Sequence, residues 1–232
     1  MPVSDPDRDG RAVVPAGRPA TVWPCPPDSP GRPSAGWLAA AVEQLVVTHT
    51  RPGDPVLLLT PPSPDVPAEG RRETLADRLA DTGRAVARLG RTVQIHPAPS
   101  GSGPGPDTPS PSPRPNGDRR PLVVTVVEPT RTGWFHGVPW ARLVAPAGLL
   151  VVITRSDSIA GRLIDPTGDL TAAAGRHGLT LLDRFVLLEV PLDELDQPPT
   201  PLPRTTVART VHSDVLLFAP LAPVPPTGGA AR

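Results

Sequence analysis

The sequence contains no lysine and no tyrosine, and it has a single cysteine, Cys25. One thiol can form neither an internal disulfide nor a thiolate metal cluster. The 23 basic residues are equal in number to the 23 acidic ones. A protein that grips nucleic acid unaided usually carries a basic excess, so this balance argues against such a role. His136, His177 and His212 are too scattered along the chain to predict a metal site.

Long apolar runs are also lacking. No window approaches the roughly 18 consecutive apolar residues of a membrane span. Residues 1–10 contain no apolar core of the kind that a signal peptide needs. We therefore expect a soluble, cytoplasmic protein without a membrane partner.

Proline and glycine, in contrast, are abundant, with 37 and 21 residues in a chain of 232. Much of this content lies in three tracts that support no packed core, and we expect these tracts to be disordered. They are residues 1–35, 97–121 and 220–232. The remainder predicts one domain over residues 36–219, with residues 97–121 as an internal linker. Trp23 in the first tract is expected to dock on that domain.

Three apolar runs without polar alternation organise the domain. They are Pro55–Leu59, Leu122–Val127 and Leu149–Ile153. Such runs are typical of strands covered on both faces, as in a parallel α/β sheet. Because helical patterns separate them, the sequence predicts a doubly wound α/β domain. Pro146 and Gly148 predict a turn just before the third run, since glycine can adopt a left-handed conformation.

Hydrophobic periodicity predicts four helices and three further strands. The helices are residues 36–50, 70–90 (with Gly83 as a point of division), 134–144 and about 165–177, and the strands are 92–96, 180–190 and 212–218. The last two strands are expected to pair antiparallel, with one of them inside the parallel set.

Two groups of polar residues look catalytic but are interpreted as structural. His212, Ser213 and Asp214 are strand neighbours that point to alternating faces, so they cannot form a relay. Asp165 and Asp169 are interpreted as caps of the helix beside them rather than as an acid–base pair.

The loop after the first strand, residues 61–67, contains four prolines and no glycine. Ligand loops at this position of an α/β sheet are usually rich in glycine, because backbone N–H groups must approach the ligand closely. Proline removes those donors. The second strand ends at His96, where an acidic residue often holds a ribose. The loop that is expected to hold a ligand therefore lacks glycine and several backbone N–H donors.

The order of these parts resembles the exocyclic-amino DNA methyltransferases, which methylate N4 of cytosine or N6 of adenine. The matching segments are RPGDPVLLL (51–59), PLVVTVVEP (121–129), LVAPAGLLVVIT (143–154), GRLIDPTGDLTAAAGRHGLTLLDRFVLL (161–188) and HSDVLLF (212–218). The resemblance implies a Rossmann-like methyltransferase sheet, mostly parallel with an antiparallel C-terminal strand. It also implies S-adenosylmethionine as the candidate cofactor, with Thr60, Ser63, Asp65 and His96 as candidate contacts.

Two motifs of that family are degenerate here. The family's cofactor loop reads roughly Asp-Pro-x-x-Gly-x-Gly, whereas residues 60–66 read TPPSPDV. Its catalytic loop reads Ser, Asp or Asn, then Pro-Pro and an aromatic residue that stacks on the flipped base, whereas residues 128–131 read EPTR. Glu128 and Pro129 are therefore interpreted as vestigial catalytic residues, and the family's long recognition insert is missing.

Three functions compete. The favoured one is a degenerate methyltransferase-fold protein without DNA methylation activity, acting as a binding or regulatory module for a protein partner. The second is an active S-adenosylmethionine-dependent DNA methyltransferase with atypical motifs. The third is a structural partner of a DNA-processing enzyme. DNA is the less favoured partner, because a chain with zero net charge has no overall electrostatic attraction to the phosphate backbone.

Overall fold

The computed structural model describes residues 21–24, 36–62, 75–99, 119–159, 162–190, 192 and 212–221. Cys25, Ser63 and Asp65 lie outside these ranges, as do most of the predicted tails and linker.

The described residues form nine strands. These are β1 (Thr21–Trp23), β2 (Pro55–Thr60), β3 (Thr92–Pro97), β4 (Arg120–Val127), β5 (Val144–Thr154), β6 (Asp157–Ile159), β7 (Arg162–Ile164), β8 (Leu179–Leu188) and β9 (His212–Pro220). Seven of them build one sheet in the order β1-β8-β9-β5-β4-β2-β3, and β6 and β7 form a separate antiparallel pair.

The strand directions confirm the predicted fold class. The neighbours β2–β3, β2–β4, β4–β5 and β1–β8 are all parallel. β9 pairs antiparallel with both β5 and β8, so it lies inside the otherwise parallel set. The last two strands therefore pair as the sequence predicts, and the domain is a mostly parallel, Rossmann-like α/β sheet.

Helices flank this sheet. They are α1 (Gly36–His49), α2 (Leu75–Asp81), α3 (Gly83–Arg88), a 3₁₀ helix (Gly133–Gly137), α4 (Trp140–Leu143) and α5 (Thr167–Arg176). The predicted division near Gly83 is confirmed, because Thr82 separates α2 from α3. An added Cβ at Gly83 would lie 2.6 Å from Cδ1 of Ile95, so the break coincides with a close approach of α3 to β3. None of the helices in the described ranges is both long and apolar enough to cross a membrane.

Side chains on both faces of the sheet are buried, as the unalternated apolar runs predict. On β5, Val151 and Ile153 join the cluster that packs under α1, α2 and α3. Leu150 and Val152 join the opposite cluster, which packs under α4, α5 and the 3₁₀ helix. All four side chains are fully buried. The sheet is therefore the middle layer of three.

The turn predicted at Pro146 and Gly148 is wrong. β5 runs through both residues, and Gly148 does not have a positive φ. Residues 145–148 instead form an irregularity in the pairing of β5 with β4. Glycine is required there for a different reason: an added Cβ would lie 2.8 Å from the carbonyl oxygen of Arg120 and 2.9 Å from that of Pro121.

The helix predicted over residues 134–144 is also different. The 3₁₀ helix ends at Gly137, and α4 is a single turn that begins at Trp140. Pro139 separates the two, because proline restricts the preceding residue to extended geometry. Val138 accordingly has φ −83° and ψ 127°.

Part of the predicted N-terminal tail belongs to the sheet. β1 lies within residues 1–35 and pairs with β8. Its Trp23 packs on Phe185 with the ring centroids 4.4 Å apart, which confirms that this tryptophan docks on the domain. The linker is shorter than predicted, since β3 continues to Pro97 and β4 begins at Arg120. Such short β segments do not stand out in sequence against proline-rich flanks.

Candidate ligand-binding crevice at the strand ends

The carboxyl ends of β2, β3 and β4 meet at one edge of the sheet. After β2 the chain crosses to β3 on one side, and it later returns to form β4 on the other side. Ligands of open α/β sheets bind in the crevice at such a switch point. Thr60 ends β2, His96 lies near the end of β3 and Glu128 directly follows β4. The structure therefore brings these three predicted site residues to the same edge.

Threonine hydroxyls tie the strand ends together. Oγ1 of Thr125 donates to the carbonyl of Leu59 at 2.6 Å. Oγ1 of Thr154 donates to the carbonyl of Val127 at 2.8 Å. Thr60 makes a longer bond of the same kind, at 3.4 Å, to the carbonyl of His96 on the neighbouring strand β3. Its hydroxyl therefore holds strands together as well as standing at the predicted cofactor position.

A backbone hydrogen bond joins the residue that follows β3 to the last residue of β2. The N–H of Ala98 donates to the carbonyl of Thr60 at 2.7 Å, and Ala98 is buried. The side chain of His96 is exposed. This corner of the crevice thus presents an imidazole, where dinucleotide-binding sheets present a carboxylate to a ribose.

Arg131 links the loop that follows β4 to the loop that follows β2. Its backbone N–H donates to the carbonyl of Glu128 at 2.9 Å, which closes the turn that follows β4. Its Nη2 donates to the carbonyl of Pro62 at 3.3 Å, in the loop that follows β2. Pro129 is buried within the turn, whereas the carboxylate of Glu128 is half-buried and has no hydrogen-bond partner in the part of the chain described. The guanidinium of Arg131 therefore joins the loop that follows β4 to the loop that follows β2.

The aromatic residues that follow this turn lie in the core. Phe135 and Trp140 are fully buried and Trp134 is 8% exposed. Their ring centroids are 4.6 to 6.3 Å apart, and Nε1 of Trp140 donates to the carbonyl of Phe135. The indole N–H of Trp134 is buried without a partner among the described residues. None of these three rings offers a free face on which a base could stack.

A cluster centred on His136 was not predicted from the sequence. Nε2 of His136 lies 3.0 Å from Oδ2 of Asp169, and Nη2 of Arg176 lies 2.7 Å from its Nδ1. Arginine can only donate, so Nδ1 accepts and the Nε2–H donates to Asp169. His177 bonds the carbonyl of His136 at 3.0 Å. His136 and His177, which are far apart in sequence, are therefore neighbours, and their hydrogen bonds hold the 3₁₀ helix next to α5.

The pKa of Asp169 is also shifted from its ordinary value. Burial alone would raise the pKa of its carboxyl, but hydrogen bonds from His136 and Thr132, together with the positive charge of Arg176, lower this pKa below its ordinary value. Thr132 belongs to the segment that follows the Glu128 turn, so this carboxylate holds the segment against α5. Two of the residues that lower this pKa, Thr132 and His136, are distant from Asp169 in sequence, so no local pattern could have predicted the effect.

Asp165 lies directly before α5, but the N-cap position is Pro166, and no side chain caps the helix there. Its Oδ1 accepts a hydrogen bond from the N–H of Thr167 at 2.9 Å. Burial raises the pKa of Asp165, but the hydrogen bonds of Thr167 and the charge of Arg184 outweigh it and lower the pKa overall. Asp169 departs from the prediction, since it bonds a side chain of the 3₁₀ helix instead of capping α5.

The residues His212, Ser213 and Asp214 do not form a triad, as interpreted from the sequence. Oγ of Ser213 donates to Oε1 of Glu189 at 2.6 Å. The buried carboxylate of Asp214 accepts from Nε of Arg184 at 3.0 Å. In the described residues, no group of three or more His, Cys, Asp or Glu side chains could hold a metal ion.

Comparison with known proteins gives distant structural likenesses. No family model matches the chain, and no curated protein matches it. A candidate methyltransferase from Thermoplasma acidophilum superposes over 76% of this chain and 74% of its own, with 9% identity and a TM-score of 0.35. A candidate DNA modification methylase from Thermus thermophilus superposes over 80% of this chain and 55% of its own, with 12% identity and a TM-score of 0.29.

The strand order defines the class of fold independently of these superpositions. A mostly parallel sheet whose last strand is inserted antiparallel beside β5 is the arrangement that the methyltransferase resemblance implies. The chain therefore has the predicted mostly parallel, Rossmann-like α/β fold with one antiparallel strand.

Proposed function

We propose that this chain is a methyltransferase-fold protein that does not methylate DNA and that acts as a binding or regulatory module. The observation that carries the proposal is the link between Arg131 and Pro62, which sets a guanidinium across the switch point where a methyl donor would lie. S-adenosylmethionine carries a positive sulfonium. Two like charges in one crevice oppose each other, so the site favours a ligand without that charge.

The acceptor side supports the same proposal. Methyl transfer to an exocyclic amine needs an acceptor for the amine and a surface on which the flipped base can stack. Glu128 could serve as the acceptor, but Trp134 and Phe135 are buried and engaged with each other. Pro61, Pro62 and Pro129 supply no N–H donors around the crevice. The described part of the crevice therefore lacks what base recognition needs.

The second candidate is an active methyltransferase, and one observation favours it. The carboxylate of Glu128 is half-buried and unpaired within the described chain, which is the state in which it could accept from an amine. The third candidate, a structural partner of a DNA-processing enzyme, needs a docking surface rather than a crevice.

Calorimetric titration with S-adenosylmethionine and S-adenosylhomocysteine tests the crevice. We expect the wild type to bind S-adenosylhomocysteine, whose sulfur is uncharged, more tightly than the sulfonium donor, or to bind neither. Where binding is measurable, Arg131→Gln should improve the relative affinity for the donor, and Arg142→Gln on the exposed face of α4 should leave it unchanged. A wild type that prefers the sulfonium donor would contradict the electrostatic argument.

A further inference from the structure

β3 forms one edge of the main sheet, and in the described chain it pairs with β2 alone. The N–H groups of Thr92 and Ala98 both donate to carbonyls of residues 54–60, at 3.1 and 2.7 Å. Because the backbone groups of successive strand residues point to opposite sides, those of Val93 and Ile95 point away from β2. The N–H and C=O groups of these two residues therefore form an open edge within the described structure.

This edge has little of the protection that sheet edges usually carry. Natural edges are kept apart by short strands, by charged side chains or by proline. The opposite edge strand, β1, has three residues, whereas β3 has six and contains no Asp, Glu, Lys or Arg. Pro97 protects the last position alone, and the side chain of Ile95 is 43% exposed. The edge from Thr92 to His96 is thus able to pair with a further strand.

The backbone of this edge is complementary to itself. A second β3, laid antiparallel about a twofold axis at Gln94, sets Val93 of one copy opposite Ile95 of the other. Such a pair exchanges two N–H···O bonds, and the axis repeats it, so four hydrogen bonds form. A shift of the register by two residues would set Ile95 against Arg91 or Val93 against Pro97, which has no N–H. The register centred on Gln94 therefore satisfies the open groups best.

The side chains match in the same register. An added Cβ at Gly83 of α3 would lie near both Ile95 and Val93, so these two side chains share the α3 face of β3. The twofold pairs them with each other, which is the apolar cross-strand contact that stabilises a sheet. On the other face Gln94 meets the Gln94 of the second copy. The two His96 side chains lie four residues apart along the ladder, about 13 Å, so they do not oppose each other.

We propose that the chain forms a twofold dimer in which the β3 strands of two copies pair antiparallel across Gln94. The two main sheets then become one continuous sheet. Because the paired strands run in opposite directions, the crevices of the two copies open at opposite edges of that sheet. Pairing through one short strand falls below the about 1,200 Å² that stable interfaces bury, so the dimer dissociates on dilution. This inference does not depend on what the crevice binds.

Sedimentation velocity of the full chain over a range of concentrations tests the dimer. We expect the wild type to change from monomer to dimer as its concentration rises. Ile95→Lys should weaken association at least about tenfold, since each dimer loses two apolar pairs and gains two charges at the interface. The matched control is Leu163→Lys, at a side chain that is 70% exposed on β7, and it should associate as the wild type does. Thermal melts check that both variants remain folded.

A disulfide tests the register without disturbing the α3 face. In a chain whose Cys25 is replaced by serine, Gln94→Cys sets two thiols in a pair that is not hydrogen-bonded, with Cα atoms about 4.5 Å apart. That separation suits a disulfide, so oxidation should give a covalent dimer on a non-reducing gel. Thr92→Cys is the matched control, because its two copies lie about 13 Å apart and should not cross-link.

Three results would overturn the proposal. The first is a wild type that stays monomeric at millimolar concentration. The second is a dimer that Ile95→Lys and Leu163→Lys affect equally, which would place the interface elsewhere. The third is cross-linking of Thr92→Cys that equals or exceeds that of Gln94→Cys, which would exclude a twofold axis at Gln94.

Discussion

Nη2 of Arg131 lies 3.3 Å from the carbonyl oxygen of Pro62, so one side chain joins the loop after β4 to the loop after β2. In the family that the sequence resembles, these two loops hold the target amine and the methyl donor. Here the loop after β2 contains four prolines in residues 61–67 and the loop after β4 contains Pro129, and proline supplies a carbonyl acceptor but no N–H donor. Arginine is the complement of such loops, because it carries five N–H donors and no acceptor.

Val151→Asp should unfold the domain. The side chain of Val151 is fully buried on β5, and a carboxylate there would have no partner. The cost is several kcal/mol, comparable with a total stability of about 5–15 kcal/mol. Circular dichroism with urea titration measures the effect, and Leu163→Asp at an exposed site is the control. A soluble variant with an unchanged melting temperature would show that β5 is not in the core.

Gly148→Ala should destabilise the domain by about 1–3 kcal/mol. The added methyl would meet two backbone carbonyl oxygens within 3 Å, those of Arg120 and Pro121, and backbone cannot move aside as a long side chain can. Gly175→Ala is the matched control. Nothing lies within 4 Å of an added Cβ at Gly175 in α5, so that change should stabilise by about 0.5–1 kcal/mol. Equal effects of the two substitutions would refute the close approach of β5 to β4.

Part of the acid sensitivity should come from Asp169. Its pKa in the folded protein is lower than the ordinary 3.8, so the unfolded chain binds more protons and stability rises with pH. The contribution of Asp169 is present above the ordinary pKa and is lost as pH falls through the folded pKa. We therefore expect urea titrations to give the wild type a larger free energy of unfolding than Asp169→Asn near neutral pH. This difference in stability should become smaller as the pH is lowered through the acid range. A difference that does not change with pH would contradict this origin.

The sheet was predictable because its signal is local. The run Leu122–Val127 identifies a doubly covered strand without reference to any other part of the chain, and the same holds for Leu149–Ile153. The sequence also predicted that the last two strands pair antiparallel with one of them inside the parallel set, and the structure shows that this strand is β9. The need for glycine at Gly148 was recognisable, but its cause was not, since the constraint comes from the carbonyls of Arg120 and Pro121 on another strand.

The site was less predictable, because its contacts join distant residues. Thr60, His96 and Glu128 could be placed at one edge, since each follows or ends a parallel strand. The bond from Arg131 to Pro62 spans 69 residues, and the contact between His136 and Asp169 spans 33. Neither has a local signature.

Incubation with labelled S-adenosylmethionine and mixed-sequence DNA, single- and double-stranded, tests the central claim most directly. We expect no transfer of label to DNA by the wild type, under conditions in which an active DNA methyltransferase labels the same substrates. Glu128→Ala and, as a remote matched control, Glu43→Ala are assayed in parallel. Label transfer by the wild type and by Glu43→Ala that disappears in Glu128→Ala would contradict the proposed function and establish Glu128 as the residue that accepts from the target amine.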